Sequence, residues 1–150
     1  MATTIKPNLF EETDYQVFLN RVHQLKANSQ PIWGTMNAAQ MLAHCLEVQE
    51  ACNGKPLQKT PFFIKLFKGF IKKSVLSDKP YPKNLQTHQQ YIISDQKDFE
   101  LEKKRFLASL EAFVQNKNSV EHSLFGTMSL EERNWAIYKH HNHHLEQFGV

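Results

Sequence analysis

Four histidines lie within five residues near the end of this 150-residue chain, at positions 140, 141, 143 and 144. On a helix, His140 and His144 lie one turn apart, with their Cβ atoms about 5–6 Å from each other. Two imidazoles at that spacing can bind one divalent transition metal ion, so the pair predicts two ligands of a metal site. The pair lacks the glutamate of the HExxH motif, which argues against a thermolysin-like protease.

The orientation of these histidines on a helix leaves two pairs in competition. With Leu130 at zero on a wheel of 100° per residue, His140 and His144 fall at about 280° and 320°, on one flank of the apolar stripe. His141 falls at about 20° and faces the core more squarely, so His141 with His144 is a rival pair. A solvated helix end, where charged histidines interact with the helix dipole, is a further interpretation of the cluster.

His44 is the best candidate for a third ligand, because a catalytic metal usually needs three protein ligands. It follows Met41 by three residues and precedes Val48 by four, so it projects from the apolar stripe of its own segment. In helical bundles, metal sites form between such facing stripes. Three imidazoles would leave a coordination position open for water or substrate. The alternative is an ordinary buried histidine of the core.

Helical periodicity predicts the elements that must position these residues. Asn37 with Gln40, and Ser129 with Glu132, have the spacing of a capping box at a helix start. No segment shows convincing strand alternation, so the sequence predicts a single all-α domain over residues 1–150, a four-helix bundle with one long crossover. Its four long helices are expected at residues 11–27, 37–54, 94–115 and 129–148, the third beginning near Ser94 and Asp95.

The long crossover, residues 55–93, contains four prolines. Within it, a short amphipathic helix is predicted from Pro61 to about Val75, with lysines opposite phenylalanines. We expect this Phe62–Lys73 stretch to cover the open mouth of the bundle as a lid. The alternative is a helix that lies on an anionic membrane surface.

Composition excludes several classes of function. The formal charge of +3 is mild, and a dedicated nucleic-acid binder usually has a sharper basic patch. No phosphate-binding glycine motif is present. The sequence contains neither a signal peptide nor an apolar run of about 20 residues, so we expect a cytoplasmic protein without an integral membrane segment. Cys45 and Cys52 are expected to be reduced, because residues seven apart on one helix are about 10 Å apart along its axis. A homodimer is compatible with the sequence.

Three segments in the same order resemble the DinB/YfiT-like superfamily, and more narrowly an uncharacterised branch with a His-rich last helix ending in Gln-Phe-Gly. These segments are WGTMNAAQMLAH at 33–44, HSLFGTMS at 122–129 and WAIYKHHNHHLEQFG at 135–149. The resemblance covers residues 30–150 and implies a four-helix bundle that binds a divalent metal, commonly nickel or zinc. It assigns the ligands to His44, His140 and His144, and so selects one of the two competing pairs. Gln147 and His141 are then candidates for residues that hydrogen-bond to the ligand histidines and orient them.

The resemblance also implies activities, since better-understood relatives are thiol-dependent transferases or isomerases, or metal-dependent hydrolases. Relatives often read His-Arg-Gly-Gln where this chain has His144-Leu-Glu-Gln147, so a contact from that arginine to substrate or thiol is not expected. Our leading hypothesis is a metal-dependent hydrolase or thiol-dependent transferase acting on an unknown small molecule. The alternatives are a non-catalytic metal- or ligand-binding module and a purely structural helical domain. Asp95, Glu47 and Glu100 are the candidates for a general base.

Overall fold

The computed structural model describes residues 5–150 and is mostly helical. Part of the predicted domain, residues 1–4, lies outside the described residues, as does most of the N-terminal stretch expected to contain no signal peptide. Six α-helices are described. They are α1 (Glu12–Gln24), α2 (Ala38–Ala51), α3 (Phe62–Leu66), α4 (Lys68–Leu76), α5 (Phe99–Gln115) and α6 (Leu130–Gln147).

The four long helices α1, α2, α5 and α6 contribute to one hydrophobic core, as the apolar periodicity predicts. Phe18 of α1, Leu42 of α2, Leu110 of α5 and Ile137 of α6 are all buried in it. Helix α2 packs against both α5 and α6. Because α2 and α6 are neighbours, side chains from their facing sides can meet, and this is the pair of helices that carries His44 and the histidine cluster.

The predicted helix starts of α2 and α6 are confirmed. The side chain of Asn37 accepts from the backbone N–H of Gln40, and Ser129 accepts from that of Glu132, with each partner side chain bonded back to the cap residue. Helix α5 starts later than predicted: Asp98, and not the Ser94–Asp95 pair, accepts the N–H of Leu101 at 2.7 Å. Ser94, Asp95 and Asp98 can each cap a helix, and the apolar periodicity does not distinguish between them.

The prediction of a chain without strands is wrong in one place. Strands β1 (Val120–His122) and β2 (Gly126–Met128) form an antiparallel hairpin between α5 and α6. Strands of three residues are too short for alternation to be visible in the sequence. The Nδ1 atom of His122 accepts hydrogen bonds from the backbone N–H groups of Leu124 and Phe125, so this histidine closes the loop of the hairpin.

The predicted amphipathic helix of the crossover is divided at Phe67 into α3 and α4. Its four phenylalanines and Leu66 are exposed to solvent, so the expectation that this apolar face covers the bundle mouth is wrong, whereas Val75, at its end, packs against the core. A short 3₁₀ helix, Gln89–Tyr91, lies against α2 instead. Among the described residues, no helix is both long and apolar enough to cross a membrane.

Candidate metal centre

His44, His140 and His144 meet between α2 and α6, and their ligand atoms form a group that could hold a metal ion. His44 projects from the middle of α2, and the other two project from successive turns of α6. Both His44, at 5% exposure, and His144, at 8%, are buried, whereas His140 is half-buried. The structure therefore brings together the three histidines that the sequence singled out.

The Nε2 atoms of these three rings converge. The Nε2 of His44 is 3.1 Å from that of His140 and 3.1 Å from that of His144. Two nitrogens that bind the same ion at about 2.0–2.1 Å are separated by about 2.9 Å for a right angle and by about 3.4 Å for a tetrahedral angle. Both separations lie between these limits, so the Nε2 of His44 can share one ion of this size with either of the other rings, and all three ligand atoms lie within 4.8 Å of one another.

The hydrogen bonds behind two of the rings determine which nitrogen carries the proton. The Nδ1–H of His44 donates to the carbonyl oxygen of Tyr91 at 2.7 Å. The Nδ1–H of His144 donates to the Oε1 of Gln147 at 2.8 Å. Since a neutral imidazole has only one proton, both Nε2 atoms present lone pairs to the centre.

Gln147 is held in the orientation that this bond requires. Its Nε2 donates to the carbonyl oxygen of Trp33 at 2.8 Å, which directs its Oε1 towards His144. The amide lies so close to Gly34 that a Cβ atom there would be 2.7 Å from the amide nitrogen. Gly34 also has a φ of +80°, which L side chains rarely adopt. A glycine at this position is therefore required to seat the glutamine.

The third ring is oriented by a chain of buried hydrogen bonds. The amide nitrogen of Gln49 donates to the carbonyl oxygen of Phe106 at 3.3 Å, so its Oε1 accepts from the Nε2–H of His141 at 3.0 Å. The Nδ1 of His141 is then an acceptor, and the Nδ1–H of His140 donates to it at 3.1 Å. The Nε2 of His140 is consequently the third lone pair directed at the centre.

Burial keeps these rings neutral. Desolvation lowers the pKa of His44, partly opposed by its bond to the Tyr91 carbonyl. Desolvation and the neighbouring histidines lower the pKa of His140 well below its usual value, and desolvation is also the main cause that lowers the pKa of His144 to about 3. Three neutral imidazoles with all Nδ1 protons committed cannot hydrogen-bond to one another through Nε2. A cation is the natural complement of such a centre.

His141, which competed with His140 as a partner for His144, has both ring nitrogens engaged, by Gln49 and by His140. It also forms part of a second potential metal-binding group with Cys45 and His140. That group is the poorer one, because metal binding requires a thiolate and burial strongly raises the pKa of the Cys45 thiol. Both Cys45 and Cys52 are buried and free, as predicted.

The surroundings of the centre are aromatic. The Tyr91 ring lies edge-on to His44 at 6.3 Å between centroids, and the Tyr81 ring lies edge-on to His140 at 6.4 Å. Burial is the main cause that raises the pKa of both tyrosines, so their hydroxyls stay protonated at neutral pH. The ammonium of Lys139 lies 4.3 Å from the centroid of the Tyr81 ring.

Two of the three carboxylates considered as general bases are held in ion pairs. Glu47 pairs with Lys55 at 3.0 Å, and Asp95 pairs with Lys97 at 2.9 Å. Glu100 is exposed in the first turn of α5. Among the described residues, neither potential metal-binding group includes a carboxylate.

Sequence reasoning missed three contributors to the site. They are Gln49, Tyr81 and the carbonyl of Tyr91, and the last two belong to the crossover, which periodicity does not connect with the histidines. For Gln49 a signal was present: a polar residue four positions after Cys45 continues the apolar stripe of α2, and such a residue requires a buried partner. No comparable signal exists for a backbone carbonyl on a long crossover.

Fold and site together define a helical protein with a buried cluster of three histidines able to hold a metal ion. Residues 7–149 match the family described as "Protein of unknown function (DUF1569)", and the chain belongs to that family. Comparison with curated proteins and with solved structures gives no match. The expectation of an uncharacterised family is confirmed, while the wider DinB/YfiT-like relationship stays a prediction.

Proposed function

We propose that this protein is a metal-dependent enzyme of the DinB-like kind, acting in the cytoplasm on a small molecule. His44, His140 and His144 hold one divalent transition metal ion, and the reaction is hydrolysis or transfer to a low-molecular-weight thiol. The observation that carries this proposal is the convergence of three unprotonated Nε2 atoms, with that of His44 lying 3.1 Å from each of the other two.

The chemistry of the donors favours nickel or zinc. Imidazole nitrogens suit zinc, copper, iron and nickel, whereas magnesium and calcium prefer oxygen ligands. The resemblance of the three sequence segments to the DinB/YfiT-like superfamily supports the same two metals. Gln147 and His141 serve as supports that orient His144 and His140.

A metal ion held only by neutral imidazoles keeps its full positive charge, and supplies Lewis-acid chemistry that polarises a carbonyl or favours the anionic form of a bound water or thiol. Protein side chains add little charge to this centre. Leu145, which stands where many relatives have arginine, is buried in the core, and the ammonium of Lys139 bonds to three carbonyls of the α4 end. An anionic ligand such as a thiolate therefore suits the site better than a cation.

The metal is tested by elemental analysis of untagged protein purified without metal columns, followed by zinc and nickel titration after chelation. We expect about one equivalent in the wild type and most of it lost in each of His44→Ala, His140→Ala and His144→Ala. His143→Ala, in the same helix and outside both potential metal-binding groups, is the matched control and should keep its metal. Full retention in all three ligand variants refutes the site. Absence of metal from the wild type together with failure to bind it supports the purely structural alternative.

Catalysis is tested separately with the metal-loaded protein. Ester, amide and thiol-transfer substrates are screened with and without glutathione-type and other small thiols, and each activity found is repeated with His44→Ala and His143→Ala. Turnover lost in His44→Ala and kept in His143→Ala supports an enzyme.

One observation favours a non-catalytic metal- or ligand-binding module as the second candidate. The two surface clefts described lie away from the histidines, one between α2 and α5 and the other between the start of α1 and the end of α5. A module of this kind predicts a saturated coordination sphere. The absorption spectrum of the cobalt-substituted protein should then be unchanged by added thiols, whereas an open position gives a new thiolate band.

A further inference from the structure

The crossover presents an apolar surface that the metal site does not use. Helices α3 and α4, with Phe67 between them, carry five large apolar side chains that are between 57% and 79% exposed among the described residues 5–150. We call them the apolar ridge: Phe62, Phe63, Leu66, Phe67 and Phe70. They make up nearly half of the eleven exposed large apolar side chains described, within nine consecutive positions. A concentration of this kind marks an interaction surface, whereas scattered exposed residues do not.

The ridge is embedded in positive charge. Residues 59–73 contain five lysines, at positions 59, 65, 68, 72 and 73, and no acidic residue. The rest of the chain has 13 basic and 15 acidic residues and is therefore slightly negative. The net charge of +3 is therefore the sum of +5 on residues 59–73 and −2 on the rest of the chain. Phenylalanines flanked by lysines are the pattern of a helix that lies in the interface of an anionic bilayer.

Helix α4 is attached to the body through its C-terminal half, where Lys72 also pairs with Glu132 at 3.6 Å, and this leaves the ridge facing outwards. The ammonium of Lys139 donates to the carbonyls of Ser74, Val75 and Ser77, and so caps the end of α4. The indole of Trp135 donates to the Ser77 carbonyl as well, at 3.2 Å. Turning the ridge inwards would break these bonds, so its exposure is a property of the fold.

Charge distinguishes between the possible occupants of the ridge. A second copy docked through the same surface would bring ten lysines together, of which only Lys72 of each copy has an acidic partner within the described residues, Glu132. Because each ridge side chain is highly exposed, the ridge protrudes from the surface. A lipid bilayer is fluid and can deform around a protruding apolar surface, which a preformed groove on a protein cannot do as readily. The two described clefts include none of the ridge residues.

We propose that α3 and α4 dock this protein onto an anionic lipid bilayer, with the apolar ridge inserted among the acyl chains and the exposed lysines 59, 65, 68 and 73 among the headgroups. Binding is peripheral and reversible, since the inserted segment is short and no helix described crosses a membrane. The surface is separate from the histidine centre and requires no metal.

Vesicle sedimentation tests this proposal. The full chain is mixed with vesicles of phosphatidylcholine alone or with about one third phosphatidylglycerol, at physiological salt. We expect binding to the anionic vesicles that is roughly tenfold or more tighter than to the neutral ones, and that weakens as salt is raised. Binding that is equal to both vesicles, or absent from both, overturns the proposal.

Two double variants separate the apolar from the charged contribution. Phe62→Ser with Phe70→Ser should weaken binding by roughly tenfold or more, because two large apolar groups no longer insert. Lys65→Glu with Lys68→Glu should weaken it by roughly 25-fold or more, since each lysine near the surface contributes about fivefold. All four side chains are exposed, so the fold should survive, which circular dichroism and thermal unfolding check.

Matched controls carry the same changes elsewhere. Val17→Ser with Leu101→Ser alters exposed apolar residues, and Lys26→Glu with Lys117→Glu alters exposed lysines, all outside the ridge. Both controls should bind vesicles like the wild type; controls that lose binding as strongly as the ridge variants overturn the assignment. Sedimentation equilibrium decides the remaining occupant. A dimer that dissociates on Phe62→Ser with Phe70→Ser, in a protein that ignores vesicles, would show that the ridge binds a second copy.

Discussion

The hydrogen bond between His144 and Gln147 gives the sharpest test of the proposed site. Replacing Gln147 by leucine keeps the volume of the side chain but removes the acceptor of the His144 Nδ1–H, which lies 2.8 Å away. His144 is then free to place its proton on Nε2, the tautomer that cannot bind a metal. The variant should therefore bind metal more weakly even though all three ligands remain.

The size of the effect follows from the two states of the ring. A hydrogen bond between neutral groups contributes about 1 kcal/mol, and one to a group that carries charge contributes about 1.5–3 kcal/mol. Metal binding moves the imidazole from the first situation towards the second, so the Gln147 bond should be worth about 1–2 kcal/mol more in the loaded protein. That difference corresponds to a zinc affinity roughly 5- to 30-fold weaker in Gln147→Leu.

The assay is competition with a chromophoric zinc chelator, using untagged wild type, Gln147→Leu, Gln147→Glu and the neighbouring exposed control Glu146→Gln. Gln147→Glu restores an acceptor and makes it anionic, so its zinc affinity should equal or exceed that of the wild type. Both changes at position 147 remove the donor to the Trp33 carbonyl, so a fall in stability common to both is expected from that loss alone. A Gln147→Leu protein that binds zinc within about twofold of wild type refutes the tautomer argument, and so does an equal loss in Glu146→Gln.

Three further predictions test the same structure. The variant His141→Phe fills the space between the aromatic neighbours of His141 but removes the acceptor for the Nδ1–H of His140. Zinc affinity should therefore fall roughly 10- to 100-fold in the chelator assay. Unchanged affinity would contradict the role given to the hydrogen bonds that link Gln49, His141 and His140. In protein freed of metal by a chelator, folding lowers the pKa values of His44 and His144. As the pH falls below about 6.5, these two histidines are therefore protonated in the unfolded chain before they are protonated in the folded one. Stability present at neutral pH should therefore decrease below about pH 6.5 in urea unfolding between pH 7 and 5, by at most about 1.4 kcal/mol per pH unit for each such histidine; a rise contradicts the assignment. The fully buried Arg133 donates hydrogen bonds to the carbonyls of residues 52, 116 and 118. Arg133→Met should therefore lower the free energy of unfolding in urea by about 3 kcal/mol or more and leave the zinc affinity of the folded protein unchanged. A loss of less than about 1 kcal/mol would contradict this prediction.

The sequence was sufficient for the elements that repeat a pattern over several turns. The four long helices, and the capping boxes that begin α2 and α6, are visible because period and cap residues agree at each of them. The hairpin before α6 escaped because its strands have three residues each, and the start of α5 was misplaced because Ser94, Asp95 and Asp98 are equivalent as caps in sequence. Arg133 carried no signal either, since its partners are backbone carbonyls that only the fold brings together.

The candidate site shows the same difference between features that follow from sequence patterns and features that depend on the fold. Spacing put His140 and His144 on one flank of a helix, and the stripe of α2 made His44 the natural third member, but periodicity alone left His141 as a rival. What separates His141 from the others is its partner Gln49, 92 positions away in the chain. Hydrogen-bond partners at such separations depend on how two helices are rotated against each other, which local patterns do not specify.

The rotation of α6 about its own axis is what aligns the centre, and three consecutive residues determine it. Successive side chains on a helix point about 100° apart, so residues 139, 140 and 141 face three different neighbours. Lys139 caps the end of α4, His140 faces His44, and His141 reaches Gln49 on α2. Turning α6 to improve any one of these contacts would lengthen the other two. The Nε2 atom of His140 is therefore held in place before any ion binds, and an ion bound there does not have to order the helix first.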